Sequence, residues 1–395
     1  MQNQGSPHFI RNYIYNFLVS FFVYLTMYLL IVVIAQYAIQ RYDVSTGDAG
    51  LVTGIFIVGA LIGRFVAGRF IHEVGPKRLL MIGLVLFIIT QCFYFIEGSL
   101  VFLFLTRFLN GVALAVATTA TGTIVPLIAP IERRGVAISL FSLSLVIGAA
   151  TGPFLGLYLA DIYPTFVLFT VCLVVAALAL IFALFLKINV AMAEQQSEYQ
   201  GFHISQFISV PAIPIAIVVF ICGLGYASVL SFLQLYATQI DLQTVASYYF
   251  IFYAVTSVVT RPFVGRILDR FHENWVAYPA LVLFGLGILV LAMAQSGWAL
   301  LLSGALVGIG YGNMTAVGNV VAVKVSRADQ VGLATSTFFI GLDVGIGFGP
   351  ALIGLILPSI GYRMMYLAMG IILLLCIILY AIIHGHRHPH QPEAT

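Results

Sequence analysis

The sequence predicts an all-α membrane protein of twelve transmembrane helices, built as two six-helix bundles related by an internal repeat. Three observations predict it: a composition that cannot cover a soluble globule, apolar runs of membrane-spanning length, and residues that recur at one constant separation. Of 395 residues, 62% are hydrophobic and 8% charged. A soluble domain carries roughly 45–50% apolar and about 25% charged residues. No stretch is polar enough to fold as a separate soluble domain, which argues against a soluble enzyme or a nucleic-acid binder. The formal net charge of +3 carries no implication of nucleic acid, because most basic residues sit in short loops.

A spanning helix needs ~20 mostly apolar residues, since the hydrocarbon core is about 30 Å thick and each residue rises about 1.5 Å. The runs are long and do not alternate, so they read as helices rather than barrel strands. They lie near 14–38, 49–71, 79–96, 100–127, 135–160, 164–187, 211–237, 245–268, 276–294, 298–323, 332–357 and 362–383. The first follows Arg11, is too long for the apolar core of a cleaved signal and lacks a clear small-residue cleavage site, so it reads as a membrane helix. The one long polar connection, 188–210, includes Glu194, Gln195, Gln196, Ser197 and Glu198. It separates an N-terminal bundle (1–187) from a C-terminal bundle with its tail (211–395).

Lys and Arg set the expected orientation. With the N-terminus inside, the inner loops and helix ends hold Arg11, Arg69, Lys77, Arg78, Arg133, Arg134, Lys187, Arg266, Arg270, Lys324, Arg327 and Arg387. The outer loops hold only Arg41 and Arg363. This asymmetry places both termini in the cytoplasm of a multi-pass cell-membrane protein.

The halves repeat. Arg64 matches Arg261, Gly68 matches Gly265, and Arg69 matches Arg266. Gly111 matches Gly308, Gly135 matches Gly332, and Gly148-x-x-x-Gly152-Pro153 matches Gly345-x-x-x-Gly349-Pro350. Every pair is 197 positions apart. Two bundles of like topology place a binding site near the membrane midplane, between them.

After the second span the chain reads Gly68-Arg69-Phe70-Ile71-His72-Glu73-Val74-Gly75-Pro76-Lys77-Arg78, and its second copy reads Gly265-Arg266-Ile267-Leu268-Asp269-Arg270. Glycine lets helix ends approach, basic heads reach the interface, and an acidic group can accept from a helix N-terminus. This pattern resembles the loop motif of the major facilitator superfamily, and the resemblance covers nearly the whole chain. It implies that these residues gate the inner face, beside the alternative that they only anchor the helices. His72 stands where the family usually has Asp, so the first-half gating contact is either lost or made pH-dependent.

Other residues gain roles through the same resemblance. The glycine–proline segments of spans five and eleven are similar to the motif associated with exporters and antiporters, although Leu157 replaces its usual final glycine. Small residues permit close packing and proline kinks a helix, so these segments are expected to shape the seal between the halves; ordinary tight packing is the alternative. The fourth span carries Arg107, Asn110 and Gly111, and the family links the matching arginine to proton transfer or substrate binding. A structural arginine paired between helices is the other reading. Arg64 and Arg261 lie four residues before the loop glycines and read as structural, snorkelling to the nearby interface.

Asp343 is the one acidic residue clearly inside a span, and its repeat mate is Val146. A buried carboxylate tends to take up a proton, which suits proton coupling, or it forms a fixed ion pair. The family's cavity is lined by spans one, four, seven and ten. That implies a substrate wall of Asn16, Ser20, Tyr24, Tyr28, Asn110, Ser231, Gln234, Thr238, Tyr311, Thr315 and Asn319. Aromatic and amide walls suit an amphiphilic compound through stacking, cation–π contacts and hydrogen bonds. Cys92, Cys172, Cys222 and Cys376 lie in separate spans and read as small buried hydrophobes, with no disulfide framework and no metal site. The histidines of His384-Gly385-His386-Arg387-His388-Pro389-His390 read as a solvated tail rather than a metal site.

The expectation is therefore a secondary transporter that works by alternating access. It exports a small organic compound or metabolite by proton antiport, needs no cofactor, and acts as a monomer in the lipid bilayer. The rivals are a proton-coupled uptake symporter and a non-transporting sensor or scaffold on the same fold. An enzyme is not expected, since no nucleophile–base or metal constellation stands out.

Overall fold

The computed structural model describes residues 7–44, 46–96, 98–188 and 207–385. Most of the polar connection expected at 188–210 and the histidine tail beyond Gly385 lie outside these residues, as do the side chains of Gln234 and Leu157.

Twelve stretches among the described residues are long and apolar enough to cross a membrane. They are carried by α1 (Pro7–Tyr42), α2 (Thr46–Val74), α3 (Pro76–Phe93), α4 (Leu100–Ile128), α5 (Arg134–Phe141), α6 (Leu143–Ile162), α7 (Thr165–Leu184), α8 (Ile213–Gln239), α9 (Gln243–Arg270), α10 (Asn274–Ala292), α11 (Gly297–Val325) and α12 (Val331–Tyr380). Helices α5 and α6 together make the fifth span, and α12 holds the eleventh and twelfth. The chain breaks inside α12 at Gly361, where φ is 74°. Only glycine takes that conformation without a Cβ penalty. The break falls where the sequence predicts the turn between the last two spans.

Helix boundaries follow from local chemistry, and the repeat extends to them. Ser99 Oγ accepts from the Phe102 N–H to cap α4, and Ser296 Oγ accepts from the Ala299 N–H to cap α11. These serines are again 197 positions apart. Gly75, at φ 90°, turns α2 into α3, and Pro76 opens the new helix where its missing N–H costs nothing.

Lipid-facing side chains are apolar, as the membrane requires: Leu355 and Val101 are 79% and 75% exposed. Trp275 and Trp298, at the starts of the antiparallel α10 and α11, mark opposite membrane interfaces. Inside the bundles the helices meet on small residues. A Cβ on Gly111 would strike the Phe56 carbonyl oxygen, and one on its mate Gly308 would strike the Tyr253 carbonyl oxygen. Gly304, Gly308 and Gly312 form one groove on α11 that receives Tyr249, Tyr253 and Ser257 of α9. Without a hydrophobic drive between helices in lipid, this close approach is what fixes their pairing. Cys172, Cys222 and Cys376 are buried free thiols, whereas Cys92 is exposed on the bundle surface.

Past α12, the last described residues dock on the bundle. His384 Nε2 lies 2.7 Å from Glu273 Oε1, and Lys324 Nζ lies 3.1 Å from Glu273 Oε2. Asn274 Nδ2 donates to the Gly385 carbonyl at 3.0 Å, and Tyr380 donates to Asn274 Oδ1 at 2.9 Å. His384 is thus buried and partnered, which corrects its reading as the start of a solvated tail; the neighbouring Glu273 supplies a partner that spacing along the chain cannot reveal. Burial works to raise the Glu273 carboxyl, but the His384 hydrogen bond and the Lys324 charge outweigh it and hold it down at about 2.

Two outcomes follow for stability in detergent. Gly308→Ala should destabilise the protein by about 1–3 kcal/mol through overpacking. Gly54→Ala, where a Cβ meets nothing within 4 Å, should be neutral or stabilise by up to about 1 kcal/mol; equal melting shifts would contradict the packing account. Because Glu273 is held below its ordinary value of 4.5, its contribution is complete above about pH 4.5 and is lost as the pH falls toward 2. The stability gap between wild type and Glu273→Gln should therefore close as the pH falls through that window.

Candidate functional site

Arg64 of α2 and Asp343 of α12 meet between the two bundles. Arg64 Nε donates to Asp343 Oδ2 at 2.9 Å, with the side chains 1% and 22% exposed. Arg64 Nη1 also donates to the Ala115 carbonyl at 3.0 Å, to Thr118 Oγ1 at 2.5 Å and to Thr119 Oγ1 at 3.0 Å. Its guanidinium lies 4.3 Å from the centre of the Phe339 ring. This corrects the snorkelling reading of Arg64. The residue is one helical turn from the loop glycine, but its direction around the helix aims it at the opposite bundle instead of the lipid interface. The signal for the pairing lay in the chain, since a lone intramembrane carboxylate needs a cation and Arg64 lies at similar depth. Arg261 is likewise fully buried, donating through Nη2 to the Gly312 carbonyl and to Thr315 Oγ1 at 2.5 and 3.2 Å.

A wall of tyrosines adjoins the pair. Tyr24 lies beside Arg64 and Thr118, and Tyr28 lies near Tyr253 and Asp343. Tyr226 stacks on Tyr311 with centroids 4.3 Å apart and on Tyr253 at 5.4 Å. All five are at most 4% exposed, so the centre is closed in this conformation. Tyr253 escaped the sequence reading because α9 was not expected to reach the centre, and Tyr226 escaped it although its helix α8 was an expected lining span. Asn16 donates to the Thr121 carbonyl at 2.9 Å, Ser20 pairs with Ser144 at 2.9 Å, and Asn319 is buried. Ser231 and Thr238 of α8 are exposed, outside this closed cluster.

Arg107 and Asn110 do not join Asp343. Arg107 Nε faces the Val52 carbonyl at 3.4 Å and Nη1 faces Tyr94 Oη at 3.3 Å, with the Phe56 ring 4.5 Å away. Asn110 donates to Thr90 Oγ1 at 2.9 Å. Both ties run to α2 and α3 within one bundle. Arg107 lies three turns along α4 from Thr118 and faces its neighbouring helices, so of the two candidates for proton coupling it stands apart from Asp343, whose partner is Arg64.

Toward the face where α1 begins and the last helix ends, the bundles are latched. Asp269 accepts from the Gly135 and Val136 N–H groups at 2.5 and 3.1 Å, at the start of α5. Ser336 Oγ donates to the Arg64 carbonyl at 2.6 Å. A Cβ on Gly68 would lie 2.8 Å from Ser336 Oγ, and one on Gly265 would lie 2.8 Å from Val136 Cα. Arg69 pairs with Glu73 on the surface, and His72 and Arg266 are exposed. A cavity of about 310 Å³ beside the latch is lined by Arg134, Asp269 and Lys324, away from the tyrosine wall.

The glycine–proline segments pack first on helices of their own bundles. Gly148 and Gly152 of α6 receive Tyr24 and Tyr28 of α1, while Gly345 and Gly349 of α12 receive Phe220 and Ala227 of α8. These seams lie inside each bundle, and Pro153 and Pro350 sit within their helices. They position the tyrosine wall, and Gly347 within the second segment also meets Ile57 of α2, so that segment packs on the opposite bundle as well. Among the described residues no group of three or more His, Cys, Asp or Glu side chains is placed to hold a metal.

By the repeat, a carboxylate at position 72 would face the N–H groups of Gly332 and Leu333, as Asp269 faces Gly135 and Val136. Each such charge-assisted bond contributes roughly 1.5–3 kcal/mol. His72→Asp should therefore hold the latched face shut, slowing alkylation of a cysteine introduced at Val323 by about tenfold or more. Unchanged labelling would separate position 72 from the latch.

Sequence and fold comparisons agree on the family. The profile of the Major Facilitator Superfamily matches residues 17–273 and 215–395. The staphylopine export protein of Staphylococcus aureus is 25% identical over 352 residues, covering 84% of this chain and 85% of that protein. Multidrug resistance protein 1 of Bacillus subtilis is 24% identical over 341 residues, covering 83% and 85%. Among solved structures, the proton:xylose symporter XylE superposes with a TM-score of 0.73 at 14% identity, over 95% of this chain and 96% of that one. The human organic anion transporter MFSD10 superposes with a TM-score of 0.72 at 16% identity, over 95% and 100%. With twelve spans, two matched repeats and the corresponding architecture, the chain belongs to the Major Facilitator Superfamily of membrane transporters.

Proposed function

We propose that the protein is a secondary exporter of a small organic compound, driven by proton antiport, with Asp343 as the proton-binding group and Arg64 as its partner. The observation that carries this reading is the ion pair, with its arginine buried and its aspartate half-buried, joining α2 of one bundle to α12 of the other. In the closed conformation the charged carboxylate ties the halves together. A proton on Asp343 removes that charge, frees Arg64 and lets the latched face open. Loss of the proton after opening restores the attraction and favours closing with a new substrate in place. One proton and one substrate thus occupy the centre alternately, which is the requirement for exchange.

The tyrosine wall between α1, α8, α9 and α11 is the proposed binding surface, offering flat faces and hydroxyls to an amphiphilic compound. Two relatives are named for export and for multidrug resistance, which supports the outward direction. The excess of Lys and Arg on the latched side supports a cytoplasmic position for that face and both termini, in the cell membrane. No cofactor is required by this cycle, and each bundle pair forms one complete path, so a monomer suffices.

Asp343→Asn should insert normally yet lose pH-driven transport by at least about tenfold, which corresponds to about 1.4 kcal/mol. Proteoliposomes with an imposed pH gradient and a screen of candidate compounds measure it. Transport that stays pH-driven in this variant would remove Asp343 from coupling. Movement of substrate with the proton rather than against it would replace antiport by symport.

A further inference from the structure

Arg261 and Arg64 are repeat mates, and their surroundings correspond residue for residue until one side stops. Arg64 donates to the carbonyl of residue 115 and to Thr118; Arg261 donates to the carbonyl of the mate, Gly312, and to the mate Thr315. The Arg64 carbonyl accepts from Ser336, and the Arg261 carbonyl accepts from the mate Ser139. The correspondence then fails at the groups that neutralise Arg64. Asp343 is matched by Val146, and Thr119 by Ala316, both apolar and buried. Arg261 is fully buried, and its Nε and Nη1 have no hydrogen-bond partner among the described residues.

A buried guanidinium without a counter-charge is costly in a protein interior and more so at membrane depth. Its unused neighbours are also donors. Ser257, one turn before Arg261 on the same face of α9, and Tyr311 on α11 both have buried hydroxyls without a partner. Tyr253 and Tyr311 stand near the guanidinium, so this cluster opens on the tyrosine wall. Donors gathered around a fixed cation, with the acidic mate missing, call for an acceptor from outside the chain.

We infer that Arg261, with Ser257 and Tyr311, binds an oxyanion of the transported compound, a carboxylate in the simplest case, in the place that Asp343 fills on the Arg64 side. This rests on the proposed reading of the centre as a substrate site. It adds that the substrate carries a negative group beside an apolar or aromatic body. Its anion meets Arg261, and its body meets the tyrosines. The two halves then have different duties: one arginine is satisfied from within and responds to protons, and the other is satisfied by cargo.

The test uses the purified full-length protein in detergent without a pH gradient, so that it does not depend on coupling. Sodium benzoate, sodium chloride, benzyl alcohol and benzylammonium are compared at equal concentration by thermal unfolding. Benzoate should raise the melting temperature by about 2–4 °C when well above its dissociation constant; the other three should not match it. Arg261→Gln should lose the benzoate shift. Val146→Asp supplies the missing carboxylate, so it should melt higher than Val146→Asn and no longer respond to benzoate. In an Arg261→Gln background the same Asp should instead lower the melting temperature.

No benzoate response in wild type, or a response unchanged in Val146→Asp, would overturn the assignment. So would chloride matching benzoate, which would mean an inorganic anion site, or benzyl alcohol matching it, which would mean the tyrosine wall alone. Intact benzoate binding together with pH-independent transport in liposomes would instead count against proton coupling, so the two readings fail separately.

Discussion

The organisation of this protein depends on compensating charge in a medium that offers no water. An arginine and an aspartate at membrane depth are each expensive alone, and together they satisfy one another across the boundary between the bundles. Removing one partner of such a buried pair typically costs about 3–5 kcal/mol, because the other is left uncompensated. The same sensitivity makes the pair useful. A single proton neutralises Asp343 and changes how strongly the halves attract, whereas most other contacts between them are indifferent to pH. The stacked tyrosines, the serine–carbonyl bonds and the Asp269 latch, a second carboxylate across the boundary, are arranged around this pair.

Packing serves that link by placing it. In lipid the helices gain nothing from hiding apolar surface, so their approach is decided by residues small enough to let backbones meet. The glycine groove of α11 brings α9 close and carries Tyr253 and Arg261 to the centre. The glycines of α6 hold α1 so that Tyr24 and Tyr28 face the same space. Rigid bundles with a thin polar boundary between them suit a rocking motion, in which the seams inside each bundle persist while the boundary opens.

Duplication explains both the likeness and the asymmetry of the two halves. The serine caps, the arginine–carbonyl bonds and the arginine–threonine bonds recur at one separation, as inherited repeats would. Two differences among these matched sites concern charge: Asp343 against Val146, and His72 against Asp269. Each removes a carboxylate from one half only. Chemistry specific to one half is thus added to a symmetric frame by changing single side chains.

The sequence by itself determined the solvent, the number of spans, the turn between the last two spans and the existence of two like bundles. Those features depend on composition, run length and periodicity, which are properties of the chain alone. It also singled out Asp343, since a lone carboxylate in an apolar run is conspicuous in any fold. What only the tertiary structure decided is direction. Arg64 and Arg107 both lie inside spans, yet Arg64 turns to the opposite bundle and Arg107 turns to Val52 and Tyr94. Depth along a helix can be counted from residue numbers, but the face that a side chain presents depends on how the neighbouring helices are rotated. That rotation is set by contacts between residues far apart in the chain. For the same reason Tyr226 and Tyr253 joined the site unannounced, His384 found Glu273, and the glycine–proline segments also became seams inside the bundles.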